Sequence, residues 1–185
     1  MIAAHGADSS FALGWQNEHD QRVRFEALAA IANLNGKTVL DAGCGYADLY
    51  IFLKERYPQM AHYYGIEQIT ELINEASQRY GHLPDATLIS RNFLHGDLPG
   101  CDYVLASGSL NYGSSVNGFI YNAIEKLYCH CSAGLGFNLL SHMPVDGTLV
   151  AYDPGEIFAF CKTLSPNVVL KTDYDEADFT IFIYR

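Results

Sequence analysis

Apolar positions in this chain alternate between two spacings. Short β-branched and aromatic runs mark buried strands at Thr38 to Ala42, Ala61 to Ile66 and Ala86 to Ser90, at Cys101 onward into a polar loop reaching Asn111, and at Phe137 to Ser141. Between them the period lengthens to that of a helix. Val23, Ala27, Leu28 and Ile31 mark a first helix, running from Asn17 to a stop at Asn35-Gly36. Further helices are marked by Leu49, Phe52 and Leu53, by Ile69, Leu72, Ile73 and Ala76, and by Val116, Phe119, Ile120, Ala123, Ile124 and Leu127. Gly134 and Gly136 read as punctuation before the fifth strand. Asp153-Pro154-Gly155-Glu156 carries a helix-start signature: a cap, a proline in the first turn and a glutamate three residues after the cap. Two last runs, Asn167 to Tyr174 and Ala177 to Tyr184, make a hairpin around Asp175-Glu176. The alternation predicts an α/β fold, a doubly wound, mostly parallel seven-stranded sheet with a C-terminal antiparallel hairpin. Residues 17–185 form one domain in this reading, and 1–16 a separate N-terminal segment anchored by Phe11, Leu13 and Trp15.

Composition narrows the partners. The chain has 185 residues, 49% hydrophobic and 17% charged, which suits one globular domain with a real core. Its 21 acidic and 11 basic side chains give a formal charge of −10, which repels phosphate backbones and anionic membrane surfaces. No apolar run approaches the roughly 20 residues that cross a bilayer. The first residues lack the basic start and apolar stretch of a secretion signal. A cytoplasmic protein is expected, with neither nucleic acid nor membrane as partner. Five scattered cysteines suit reduced thiols, and no metal site is expected, Cys129-His130-Cys131 reading as a packed helix end.

The chemistry concentrates between Lys37 and Ile51, where a strand breaks at Gly43 and Gly45 and a helix follows at once. Such a turn brings backbone close to a ligand and presents unpaired helix-start N–H groups. A dinucleotide fingerprint would place a third glycine or alanine at position 48, and Asp48 stands there. Asp41, two residues before the first glycine, would repel a pyrophosphate. A ligand without phosphates is expected, and S-adenosylmethionine, with a sulfonium and an ammonium, fits. Glu67, about 20 residues beyond the loop at the end of the second strand, can accept hydrogen bonds from both ribose hydroxyls.

Val-Leu-Asp-Ala-Gly-Cys-Gly, ending at Gly45, resembles the glycine-rich motif of class I S-adenosylmethionine-dependent methyltransferases. The resemblance implies a Rossmann-like fold, with Asp41, Gly43, Cys44 and Gly45 lining the methionine end of the cofactor. It makes Glu67 the ribose acid and puts Gln68 near the adenine or ribose edge. Asn92 would accept from the adenine amino group and Phe93 would stack on the ring, although the family more often has Asp at the former place. Ser107 would lie beside the transferring methyl, with Ser109 and Asn111 orienting substrate. Trp15 is either a packing aromatic or a lid over the cofactor, and Arg22 or Arg24 could reach the methionine carboxylate.

The activity implied is direct in-line displacement on the sulfonium methyl, which needs positioning more than acid–base chemistry. No catalytic residue is assigned. Tyr112, His142 and Tyr152 are the candidates for contacting the acceptor, with His142 the candidate base. Since the basic sheet uses nearly every residue from Thr38 onward, the acceptor is expected to be a small molecule. Two other classes stay open: an S-adenosylmethionine-binding domain without turnover, and a nicotinamide-dependent oxidoreductase, which Asp41 and Asp48 oppose.

Overall fold

A computed structural model of the chain describes residues 18–112, 118–142 and 149–185. Helix α1 (Glu18–Ala29) leads into strand β1 (Thr38–Ala42), followed by α2 (Asp48–Arg56), β2 (His62–Glu67), α3 (Thr70–Tyr80) and β3 (Ala86–Ser90). Then come β4 (Cys101–Ala106), a single 3-10 turn at Ser109–Asn111, α4 (Phe119–His130), β5 (Cys131–Leu140), α5 (Pro154–Leu164), β6 (Val168–Lys171) and β7 (Asp178–Tyr184). All seven strands join one sheet in the order β3-β2-β1-β4-β5-β7-β6. The first five strands run parallel, and β7 slots antiparallel between β5 and β6. The order reverses between β1 and β4, and crevices at such points receive ligands in open α/β sheets.

Alternation along the strands feeds two cores. Leu40, Ala42, Val104, Leu135 and Phe137 face α4 and α5, whose Ile120, Ile124, Ile157 and Cys161 are buried against them. Val39, Tyr63 and Phe182 face the other way, against Phe25 and Leu28 of α1, Leu49 and Leu53 of α2 and Ile73 of α3. No helix among the described residues is long and apolar enough to cross a membrane.

Two boundaries depart furthest from the sequence reading, and β6 ends at Lys171, three residues short of Tyr174. The first helix stops at Ala29, six residues before Asn35, and the chain turns on Ala30 and Ile31 amides that bond back only three residues. Asn35 instead bridges Met60, and Gly36 takes a positive φ of 72°. The fifth strand begins at Cys131, well before Phe137. Gly134 and Gly136 lie inside it because neighbours press on the backbone there. A Cβ on Gly136 would come within 3.1 to 3.2 Å of Phe182, Ile31 and Leu105, and one on Gly134 within 3.1 Å of the Ile183 carbonyl. The helix start at Asp153 forms as its signature requires: the Asp153 carboxylate accepts from the Glu156 amide at 2.9 Å.

Candidate functional site

The carboxyl ends of β1, β2 and β4 open onto a cavity of about 670 Å³. Its floor is the turn between β1 and α2, which takes three positive φ values in alternation: Gly43 at 80°, Gly45 at 56° and Ala47 at 61°. Left-handed geometry at Gly43 lets successive amides converge, and the Gly43 and Cys44 amides both bond the Ile66 carbonyl. Gly43 has a second reason to be glycine. A Cβ there would stand 2.4 Å from the Ser109 Cβ, and Ser109 is fixed because its hydroxyl donates to the Ala42 carbonyl. The turn is therefore tied to the loop after β4 even without a ligand. Cys44 is buried, and its thiol packs where Gly65 of β2 leaves room.

Asp41 and Glu67 both sit at this rim, both buried, in opposite circumstances. Glu67 is engaged locally: one carboxylate oxygen accepts from the Gln68 and Ile69 amides at 2.8 Å each, the other from the Gly45 amide at 3.1 Å. It thus ties the approach to α3 to the glycine turn, with one lone pair left for a further donor. Asp41 is 2% exposed and its Oδ2 accepts from the Tyr63 hydroxyl at 2.6 Å. Among the described residues its Oδ1 has no hydrogen-bond partner. Burial pushes the Asp41 carboxyl up to about 7 against the pull of the Tyr63 hydroxyl, and the negative Glu67 and Asp48 add to the rise.

All of Asp41, Gly43, Cys44, Gly45, Glu67 and Gln68 line the cavity, as do Asn92, Phe93, Ser107 and Tyr112. Asn92 donates to the Gln68 side-chain oxygen at 2.7 Å, while its own carbonyl oxygen accepts from the Leu94 amide at 2.8 Å. That oxygen, expected to meet an adenine amino group, already closes a local turn and has one lone pair to offer. Ser107 carries a buried hydroxyl with no partner. Ser109 and Asn111, read as substrate-orienting, are engaged in the fold: Asn111 accepts from the Leu140 amide at 2.9 Å and its carbonyl from the Val150 amide at 2.7 Å. His142 and Tyr152 open onto a different hollow of about 480 Å³, shared with Asp153 and Asp178. Trp15 lies outside the described residues.

Two wall residues, Gln21 and Arg24, and one behind the wall, Tyr63, had little or no signal in the sequence. Tyr63 lies two residues before Gly65, the register partner of Asp41, so its ring sits on the same sheet face and reaches back to the carboxylate. Gln21 of α1 donates to Asp48 at 3.3 Å. Arg24, weighed as a solvated charge or a ligand contact, pairs with Asp178 at the start of β7 while also lining the cavity. Arg22 is exposed and pairs with Glu26 at 3.2 Å.

No protein-family model matches the chain. Among curated proteins it is similar to trans-aconitate 2-methyltransferase of Afipia carboxidovorans, 33% identical over 96 residues that make up 51% of this chain and 36% of that one. The chain thus matches only about a third of that relative's length. Magnesium protoporphyrin IX methyltransferase of Synechocystis PCC 6803, solved with bound S-adenosylhomocysteine, superposes with a TM-score of 0.70 at 17% identity, covering 90% of this chain and 83% of that one. Human N-acetylserotonin methyltransferase in complex with S-adenosylmethionine gives 0.68 at 15% identity, over 88% of this chain and 52% of the other. The chain has the class I S-adenosylmethionine-dependent methyltransferase fold.

Proposed function

We propose that the chain binds S-adenosylmethionine in the 670 Å³ cavity and transfers its methyl group to a small-molecule acceptor by direct in-line displacement. One observation carries the reading: a glycine turn at the end of β1, pinned by Glu67, faces a cavity in which the buried Asp41 Oδ1 and Ser107 hydroxyl have no partners. Buried polar atoms without partners cost free energy, and a ligand with matching groups removes that cost. Asp41, Asp48 and Glu67 in the lining favour a cationic nucleoside over one bearing phosphates. The volume lies within the roughly 300 to 1,000 Å³ usual for small-molecule sites.

The residues fit the cofactor by parts. Glu67 accepts from a ribose hydroxyl on the one lone pair its three backbone donors leave, Phe93 stacks on the purine, and Gln68 with Asn92 borders its edge. Asp41 and the turn from Gly43 to Gly45 hold the methionine end. Bound there, the cofactor supplies an electrophilic methyl on a sulfonium. The protein's task is to keep the acceptor's nucleophile in line behind that carbon and water away from it. Tyr112, with Ser107, is the acceptor-side candidate that the cavity supports, since His142 opens elsewhere. The similarity to a methyltransferase acting on trans-aconitate agrees with a small acceptor. Scattered thiols and the acidic surface suit the cytoplasm.

Side-by-side melting curves with S-adenosylmethionine, S-adenosylhomocysteine and NAD test this. A ligand at a hundred times its dissociation constant stabilises by about 2.7 kcal/mol. The first two should raise Tm and NAD should not; no shift with either adenosyl ligand defeats the proposal.

A further inference from the structure

Asp41 is a carboxyl group waiting for a cation. It is buried at the floor of the cavity, one oxygen takes the Tyr63 hydroxyl at 2.6 Å, and the other meets no donor. Among the described residues, the charges that act on it are those of Glu67 and Asp48, both negative. Strand β2 presents Tyr63 and Glu67, the turn presents the Cys44 thiol, and α2 presents Asp48, so the charged neighbours acting on it are negative. The cations of the surrounding elements are engaged elsewhere: Arg79 of α3 with Glu75 and Asp48, Arg24 of α1 with Asp178, and Lys126 of α4, also in the cavity lining, with the Gly96 carbonyl. A carboxylate so enclosed avoids ionising while the cavity holds only water, and an ammonium or sulfonium arriving beside its open oxygen reverses the balance.

Building on the cofactor reading, we propose that Asp41 is protonated in the empty site and gives up its proton as the cationic methionine end of S-adenosylmethionine docks, so that cofactor binding is coupled to proton release. The step balances: one proton leaves the Asp41 carboxyl for solvent as one ligand cation takes its place. The consequence is a site that distinguishes ligands by charge. S-adenosylmethionine carries one positive charge more than S-adenosylhomocysteine, whose sulfur is neutral, and so holds Asp41 ionised more firmly. Loss of the methyl group then weakens the hold on the product and lets the proton return.

The test is calorimetric titration of the full chain at pH 6.5 in phosphate, PIPES and imidazole, whose ionisation enthalpies differ. The ligand's own α-amino group, with a pKa of about 7.7 to 8.0, is already protonated there. Because Asp41 titrates near 7, the dependence of heat on buffer should report release of more than roughly half a proton per S-adenosylmethionine. S-adenosylhomocysteine should release less, and Asp41→Asn should bind more weakly with no release. A wild-type pH series makes the test independent of that variant: affinity should rise up to about tenfold per pH unit below 7 and level off above it. Tight binding with no buffer dependence, or equal release from Asp41→Asn, overturns the inference and leaves the cofactor reading standing. No heat from either adenosyl ligand at any pH overturns both.

Discussion

Two buried aspartates stand at the same edge of the sheet, Asp41 at the end of β1 and Asp178 at the start of β7, and they differ in what faces them. Asp41 is 2% exposed and Asp178 4%, and each has one carboxylate oxygen bonded and the other, Oδ1, without a partner. The donor on Asp41 is the neutral Tyr63; the donor on Asp178 is the Arg24 guanidinium. Burial drives both carboxyls up, to about 7 for Asp41 and about 6 for Asp178, and Arg24 is the counterweight at the second. The pairing reveals two uses of one residue type. Asp178 closes a structural link from α1 across the sheet to β7, whereas Asp41 lines a cavity with its second oxygen unbonded among the described residues. Arg24→Met should break the comparison most severely. The variant keeps the apolar stem but strands the carboxylate of Asp178, which typically costs about 3 to 5 kcal/mol for a buried pair. The sign follows from the raised carboxyl. Native Asp178 holds its proton at a higher pH than the unfolded chain does, so stability falls as pH rises from about 4, and without Arg24 that fall continues past 6. Urea unfolding should show a large loss at pH 8 and a small one at pH 5.

Asp41→Asn should move stability the other way. With a native carboxyl near 7 and an unfolded value of about 3.9, the folded protein binds more protons between those limits, and its stability drops across that window. An amide has no such charge to bury. Ligand-free Asp41→Asn should therefore be more stable than the wild type at pH 8, by about 1 to 2 kcal/mol once the unpaired amide's own desolvation is deducted, and should lose that advantage by pH 5. Urea midpoints at the two values check it, and a less stable variant at pH 8 would mean that the ionised Asp41 already has a stabilising partner in the empty site. Gain of stability with loss of cofactor affinity is the mark of a residue kept for binding.

What could be read in the sequence was local. Strands β1 and β3 and the capped start of α5 follow from runs of a few residues, and the structure has them where the pattern put them. The glycine turn and Glu67 could be placed because strand ends in a parallel sheet converge on one edge, so offsets along the chain become neighbours in space. Contacts across the sheet could not. Arg24 and Asp178 are 154 residues apart, and nothing in either segment marks the other. Gly134 and Gly136 misled for the same reason, since a glycine that ends a strand and one that admits a neighbour's side chain look alike without that neighbour. Asn111 lines the cavity as well, but nothing in its segment marks the Leu140 amide that its side-chain oxygen accepts from.

The finest test of the comparison is Tyr63→Phe, which removes one oxygen atom and no charge. Tyr63 is fully buried in β2 and its ring packs against Tyr50 at 5.1 Å between centroids, an arrangement phenylalanine can keep. The stability change should be about 1 kcal/mol, the usual net worth of a hydrogen bond. The informative effect lies in its pH dependence. The Tyr63 hydroxyl is the one neighbour that favours the ionised form of Asp41, opposing burial, Glu67 and Asp48. Without it the carboxyl should titrate higher, by about one to two units if a bond to a charged acceptor is worth roughly 1.5 to 3 kcal/mol. S-adenosylmethionine then has more protons to displace at neutral pH, so its affinity should fall at pH 7 and still be rising between pH 7 and about 7.5, where that of the wild type levels off. A merely structural tyrosine would lower affinity by the same factor at every pH. Titrations of wild type and variant at four or five pH values separate the two: a displaced midpoint ties Tyr63 to the charge on Asp41, and parallel curves would place Asp41 outside the ligand's reach.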